Sequence, residues 1–227
     1  MMICINNVLT KAEALGFRRQ LETGAWESGA LTAGPVARLA KNNRQLAESH
    51  PLAISLGNEI LRRLGTHPQF VSAALPHLIH PPRFNRYDVG ETYGTHVDGA
   101  LMRLPGTQMA MRSDLSATLF LTDPADYDGG ELQIEGAAGG QSIKLGPGDL
   151  VLYPASTLHR VTPVTRGTRI CAFFWVQSHV RNESARATLY DLDQAIQGLA
   201  SRVGAADPHL LSMTHVYHNL LRRWAEA

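Results

Sequence analysis

The sequence predicts a mainly β protein, a jelly-roll core with flanking helices. Short β-rich runs cut by turn residues fill the stretch from residue 83 to residue 177. Helical periodicity is confined to the segments before residue 78 and after residue 178. At 227 residues, 44% of them hydrophobic, the chain suffices for one well-filled core and is short for two enzyme domains.

The elements follow in order. Residues 1–9 alternate as a short strand, and Thr10 with Glu13 has the spacing of a capping box that opens a helix over 11–23. The Gly- and Ala-rich text from 24 to 43 is irregular. Ser49-His50-Pro51 then announces a second helix with Leu52, Leu56, Ile60 and Leu64 on one face, so residues 1–77 read as helical support. Strands are expected at 83–88, 92–97, 115–122, 131–134, 142–145, 150–154 and 169–177. Asp128-Gly129-Gly130 and Gly146-Pro147-Gly148-Asp149 are turn sequences expected to join antiparallel neighbours. The Met-rich stretch 99–113 has the length of a lid loop, although its methionines suit an oligomer contact equally and leave a homo-oligomer open. Residues 179–227 form a helical extension, with Leu189, Leu192, Ile196 and Leu199 on one stripe, a break near Pro208 and an end at Trp224.

Composition narrows the function. The formal charge is +1 and the basic residues are scattered, which speaks against nucleic acid or an anionic membrane as partner. No signal-peptide pattern or spanning apolar run is present, so a cytoplasmic location is expected. Cys4 and Cys171 are too few for a disulfide framework or a Cys-rich zinc site, and each is read as a small buried hydrophobe.

The chemistry is expected in the β-rich middle. His96-Val97-Asp98 ends a strand, where alternation points residues two apart to one face, so an imidazole and a carboxylate converge. Alone this pattern is weak. His159, 61 residues after Asp98, completes the two-histidine, one-carboxylate set that leaves metal positions open in non-haem Fe(II) oxygenases. Arg169 follows ten residues later in an apolar context, Ile170 to Trp175, where a guanidinium needs an anionic partner and suits a carboxylate.

Together with Phe84-Asn85-Arg86-Tyr87, Glu91-Thr92-Tyr93-Gly94-Thr95, Asp114 to Leu121 and Tyr127 to Leu132, these elements resemble the PKHD-type hydroxylases. That is the bacterial iron-uptake-factor branch related to prolyl 4-hydroxylases. The resemblance implies a double-stranded β-helix and an Fe(II)/2-oxoglutarate dioxygenase domain over 78–178. It also implies Fe(2+), 2-oxoglutarate as co-substrate with dioxygen, and L-ascorbate (vitamin C) as reductant. Residue by residue, it implies His96, Asp98 and His159 as metal ligands, Arg169 as partner of the distal carboxylate of 2-oxoglutarate, and Tyr87 at the same carboxylate. The substrate is not implied, and a peptidyl residue or a siderophore-like small molecule both fit.

Other residues receive plainer readings. The pairs His77/His80 and His215/His218 lack a neighbouring acid or cysteine set and are read as structural, Trp175 as core, and Asp149 and Glu131 as turn and strand-end residues. Tyr93 lines the substrate side or packs. A cupin-like metal enzyme without 2-oxoglutarate, or a non-catalytic ligand-binding jelly roll, would use the same three ligands, and Arg169 is the residue that separates them.

Overall fold

A computed structural model of the protein describes residues 1–32, 34–136, 139–204 and 206–226. Its centre is an eight-stranded sheet in the order Ile3–Ile5, Leu150–Pro154, Leu115–Phe120, Arg169–Ser178, Arg83–Tyr87, Arg44–Leu46 and Trp26–Ser28, with Pro76–Ile79 also paired to Arg169–Ser178. Facing it is a five-stranded sheet, Gln141–Ile143, Leu132–Ile134, His159–Val161, Thr92–His96 and Lys41–Asn42. Every pairing is antiparallel.

Strand alternation decides what each face touches. Leu115, Ala117, Leu119, Leu150, Leu152, Ile170, Ala172 and Phe174 face one way and bury the helices Lys11–Glu22, Pro51–Thr66 and Pro68–Ala74 through Leu21, Leu56, Ile60, Leu64 and Phe70. Their neighbours Phe120, Val151, Tyr153 and Tyr87 face the other way, against Leu132, Ile134, Ile143 and Val161 of the second sheet and Val164 of the separate strand Val164–Gly167. The inter-sheet face therefore holds the polar inward residues Ser116, Thr118 and Arg169, and that is where chemistry has room. The result is a jelly-roll core with flanking helices, as the strand rhythm predicts.

The N-terminal helix carries the expected capping box between Thr10 and Glu13. The second helix starts at Pro51 under the side chain of His50, and a further helix, Pro68–Ala74, follows it after His67. At the other end, Glu183–Val203 and Pro208–Trp224 pack on each other and on Leu75 and Val180. Among the described residues no helix is long and apolar enough to cross a membrane.

Several expectations are corrected. The front third is more than helical support, because Ile3–Ile5, Trp26–Ser28 and Arg44–Leu46 extend the large sheet and Lys41–Asn42 edges the small one. The irregular stretch 24–43 thus contains two of these strands, whose two or three residues are too few to show a period. Neither turn sequence joins neighbours within a sheet. Gly129-Gly130 leads from Tyr127–Gly129, paired with Val164–Gly167, into the five-stranded sheet, and Gly148 passes the chain from that sheet to the large one. Both crossings need positive φ in tight quarters: a Cβ on Gly129 would lie 2.0 Å from the Pro163 carbonyl oxygen, and one on Gly148 2.1 Å from that of Leu9. The 99–113 stretch is a β-hairpin, Leu101–Arg103 with Ala110–Arg112, anchored by fully buried Met111 against Ala155 and Trp175. Cys4 is exposed, since Ile3 and Ile5 take the inward positions of an edge strand; Cys171 is buried as expected.

Candidate active site

His96 and His159 lie directly opposite each other on neighbouring antiparallel strands, so their side chains share one face. Their rings are 4.2 Å apart between centroids. Each imidazole is fixed in the same way: Nδ1–H donates to a main-chain carbonyl two residues upstream, Gly94 O at 2.8 Å for His96 and Thr157 O at 2.9 Å for His159. That bond sets the tautomer and turns both Nε2 lone pairs toward the cavity. Burial, followed by the neighbouring His159, lowers the His96 value to about 4, which keeps the ring neutral as a ligand must be.

Asp98 stands just past the end of its strand, with Oδ2 3.8 Å from His159 Nε2. The Ser116 hydroxyl, from the facing sheet, donates to the same oxygen at 2.5 Å. One atom from each of His96, Asp98 and His159 lies within 4.8 Å of the others, a spacing and donor set able to ligate a divalent metal ion. Among the described residues it is the one such cluster. His77 meets His179 edge-on, His80 meets Trp175 edge-on, and His215 meets Asn219, so these histidines keep their structural reading.

These groups open into a cavity of about 270 Å³ between the sheets. At one end sits Arg169, 1% exposed, paired in register with Tyr87. Its guanidinium carbon is 5.2 Å from the Tyr87 ring centre and 5.4 Å from that of Phe120. Its Nε and Nη1 have no hydrogen-bond partner among the described residues. A buried, unpartnered fork of donors is costly in the free protein and suits a carboxylate. Burial raises the Tyr87 hydroxyl, which stays a neutral donor beside it.

The site thus meets the two requirements of an oxygenase that uses a 2-oxo diacid: a donor set for iron and a cation held off from it in the same cavity. Across 225 residues the chain is 57% identical to a PKHD-type hydroxylase of Acidovorax ebreus (strain TPSY), covering 99% of both chains. The chain belongs to the PKHD-type hydroxylase family. Its residues 82–177 match the 2OG-Fe(II) oxygenase superfamily and residues 183–226 the PKHD-type hydroxylase C-terminal domain. As a PKHD-type hydroxylase it is a 2-oxoglutarate-dependent enzyme. Its fold is similar to a prolyl hydroxylase from Trichoplax adhaerens in complex with a hypoxia inducible factor oxygen degradation domain peptide fragment. That likeness has a TM-score of 0.53 and 15% identity, over 82% of this chain and 86% of that one. A prolyl-4-hydroxylase from Pseudomonas putida is similar at TM-score 0.50 and 18% identity, over 78% and 92%.

Four cavity residues of this PKHD-type hydroxylase escape sequence reading. Ser116 is, with Thr118, one of two polar residues in the otherwise apolar buried strand Leu115–Phe120, and its inward register is the signal that would have found it. Lys41 lies in the stretch read as irregular, and Arg83 at the very start of a strand. Trp175, read as core, lines the cavity with Phe173. Tyr93, left between two roles, stacks on His96 at 3.6 Å between ring centres and lines the cavity. Glu131 and Asp149 bond to Thr162 and the Asn7 amide, in keeping with strand-end and turn roles.

Proposed function

We propose that this chain is an Fe(II)- and 2-oxoglutarate-dependent dioxygenase in which His96, Asp98 and His159 hold the iron and Arg169, with Tyr87, holds the far carboxylate of 2-oxoglutarate. The observation that carries the reading is the buried Arg169 fork, unpartnered at Nε and Nη1, in the same cavity as the His-Asp-His set. A cupin-like enzyme without a 2-oxo diacid has no use for that cation, and a buried guanidinium without an anion is unfavourable. Iron(II) with 2-oxoglutarate and dioxygen supplies oxygen insertion into a C–H bond, coupled to decarboxylation of 2-oxoglutarate to succinate.

The protein's own contribution is orientation and exclusion of water. The carbonyls of Gly94 and Thr157 hold both imidazoles as neutral Nε2 donors, and Ser116 keeps the Asp98 carboxylate turned inward. Tyr93 shields one face of His96. Arg169 and Tyr87 fix the deep end of the cavity, while Met102 of the 101–112 hairpin borders the other, where the hairpin acts as a lid. Ascorbate as reductant, a cytoplasmic location, a role in iron uptake or homeostasis, and hydroxylation of a peptidyl residue or a siderophore-like molecule belong to the same reading. All but the location rest on the family resemblance.

The test is succinate release from 2-oxoglutarate by purified protein with pooled cell metabolites and peptides, with and without iron(II). Release that depends on iron and is lost in His96→Ala, Asp98→Ala and His159→Ala is expected. Release indifferent to iron, or to any one of the three substitutions, removes that part of the assignment.

A further inference from the structure

We propose that the mouth end of the cavity is a second subsite, in which Lys41 and Arg83 bind an anionic oxygen group, of carboxylate type, on the molecule to be hydroxylated. The inference rests on the reading of Arg169 as the anchor of 2-oxoglutarate.

Register separates the two ends. On the central strands Arg169 pairs with Tyr87 and Phe173 with Arg83, so Arg83 lies four residues further along the sheet, about 13 Å at the usual rise. On the adjoining strand Trp175 pairs with Ser116, the residue bonded to Asp98. Arg83 therefore belongs to the metal and mouth side of the cavity, well away from the Arg169 end. A diacid short enough to span from Arg169 to the metal ligands does not also reach Arg83.

The lining is electrostatically lopsided. Three cationic side chains, Lys41, Arg83 and Arg169, face this cavity, and Asp98 is its one carboxylate among the described residues. Asp98 is engaged by Ser116 and turned to His159. Arg83 is held by Glu48 at 2.5 Å through one terminal nitrogen, while its Nε is buried with no partner among the described residues. Lys41 and Arg83 also repel one another: after burial, Arg83 is the next influence lowering the Lys41 ammonium to about 8. Like charges turned into one half-enclosed space are stabilised by an anion between them.

The neighbours give the subsite its shape. The Arg83 guanidinium carbon lies 5.4 Å over the Trp175 ring, and the Lys41 ammonium 5.2 Å over the Tyr93 ring, which itself stacks on His96. Two cations are thus each braced on an aromatic face beside the metal ligands. Between Arg83 and Tyr87 on the same face, Asn85 is 8% exposed, and its carbonyl oxygen Oδ1 has no partner among the described residues. That oxygen accepts a hydroxyl or amide N–H from the same ligand. A substrate with an acidic group, and a C–H bond a short distance from it, fits this arrangement.

The experiment titrates anaerobic, iron-loaded protein, saturated with 2-oxoglutarate, with matched carboxylate and carboxamide probes. The pairs are phenylacetate and phenylacetamide, indole-3-acetate and its amide, and N-acetylproline and its amide, read by calorimetry. At least one carboxylate is expected to bind about tenfold or more tightly than its amide, the scale of one charge-assisted hydrogen bond. Lys41→Met and Arg83→Met should each shrink that ratio, and Arg83→Lys should keep most of it, with 2-oxoglutarate affinity unchanged in all three. No preference in any pair, or a preference that survives both methionine substitutions, overturns the proposal. Should Arg83→Met lose 2-oxoglutarate binding while its far-UV circular dichroism and thermal melt match the wild type, Arg83 belongs to the co-substrate end and the proposal is overturned; if those readouts show that the fold is lost, Lys41→Met decides alone. Absence of 2-oxoglutarate binding to the wild type would instead defeat the reading of Arg169, and calorimetry with 2-oxoglutarate alone detects that separately.

Discussion

Replacing Arg169 by Met should make the protein without co-substrate more stable and remove most of the stabilisation that 2-oxoglutarate adds. In the free protein the guanidinium is 1% exposed with Nε and Nη1 unpartnered, and an unsatisfied buried charged donor costs about 1–3 kcal/mol or more. Met fills similar space between Tyr87 and Phe120 without that cost, so the metal-bound variant without co-substrate should gain about 1–3 kcal/mol. At this chain length the gain corresponds to a rise of roughly 2–4 °C in Tm per kcal/mol. Saturating 2-oxoglutarate, at one hundred times its Kd, should add about 2.7 kcal/mol to the wild type and little to the variant. Arg169→Lys keeps the charge and loses the fork, so its affinity should fall by about 1.5–3 kcal/mol, roughly ten- to more than one-hundredfold. Anaerobic thermal melts with and without 2-oxoglutarate, beside calorimetric titrations, read all of these. If 2-oxoglutarate stabilises Arg169→Met as much as it does the wild type, Arg169 is not the anchor.

Three further outcomes are expected. Ser116→Ala should weaken iron binding about ten- to one-hundredfold while leaving the fold intact, because Asp98 loses its 2.5 Å hydrogen bond; a competition titration with a chelator measures it. Gly130→Ala should destabilise the protein by about 1–3 kcal/mol and weaken 2-oxoglutarate binding, since φ is +65° and the new methyl would sit 2.9 Å from Val164 Cγ2 and 3.1 Å from Arg169 Cδ. Urea unfolding and the same titration are the measurements. For the metal-free protein, His96 is lowered from 6.5 to about 4, chiefly by burial, so the unfolded chain takes up a proton that the folded one resists. Stability should be unaffected by this group above pH 6.5 and fall as the pH drops toward 4, by up to about 3 kcal/mol. His96→Gln should flatten that part of the urea-midpoint curve, and an unchanged slope would mean that the imidazole is not held neutral.

The sequence was most legible where one residue type has few other reasons to be present. Arg169 in the run Ile170-Cys171-Ala172-Phe173-Phe174-Trp175 had to be buried, and burial of a guanidinium implies an anion. The long strands and the capped helices were readable because their periods extend over enough residues. Lys41 was not, because its strand is two residues long and its place beside Tyr93 is a long-range pairing. The two glycine turns were recognised as turns, but their partners were not. Positive φ states that the chain bends, and only the packing of Pro163 and Leu9 against the glycines decides into which sheet it goes. Trp175 shows the same limit, since alternation gives two faces to a central strand and does not say which one encloses a cavity.

The hydrogen bonds from His96 and His159 to the carbonyls of Gly94 and Thr157 have an evolutionary side. A ligand oriented by a neighbouring acid depends on that acid being retained, whereas a carbonyl is supplied by whatever residue occupies the position. The orientation of both imidazoles is therefore written into strand geometry, with the side chain at 157 taking no part in it and glycine at 94 fixed for a different reason, since a Cβ there would lie 2.9 Å from Ala40 Cβ. The mouth is built differently, from the side chains of Lys41, Arg83, Met102 and Trp175 on four separate segments. Substitutions can accumulate there without disturbing the ligands, so a lineage built on this scaffold is free to exchange one substrate for another while the chemistry stays in place.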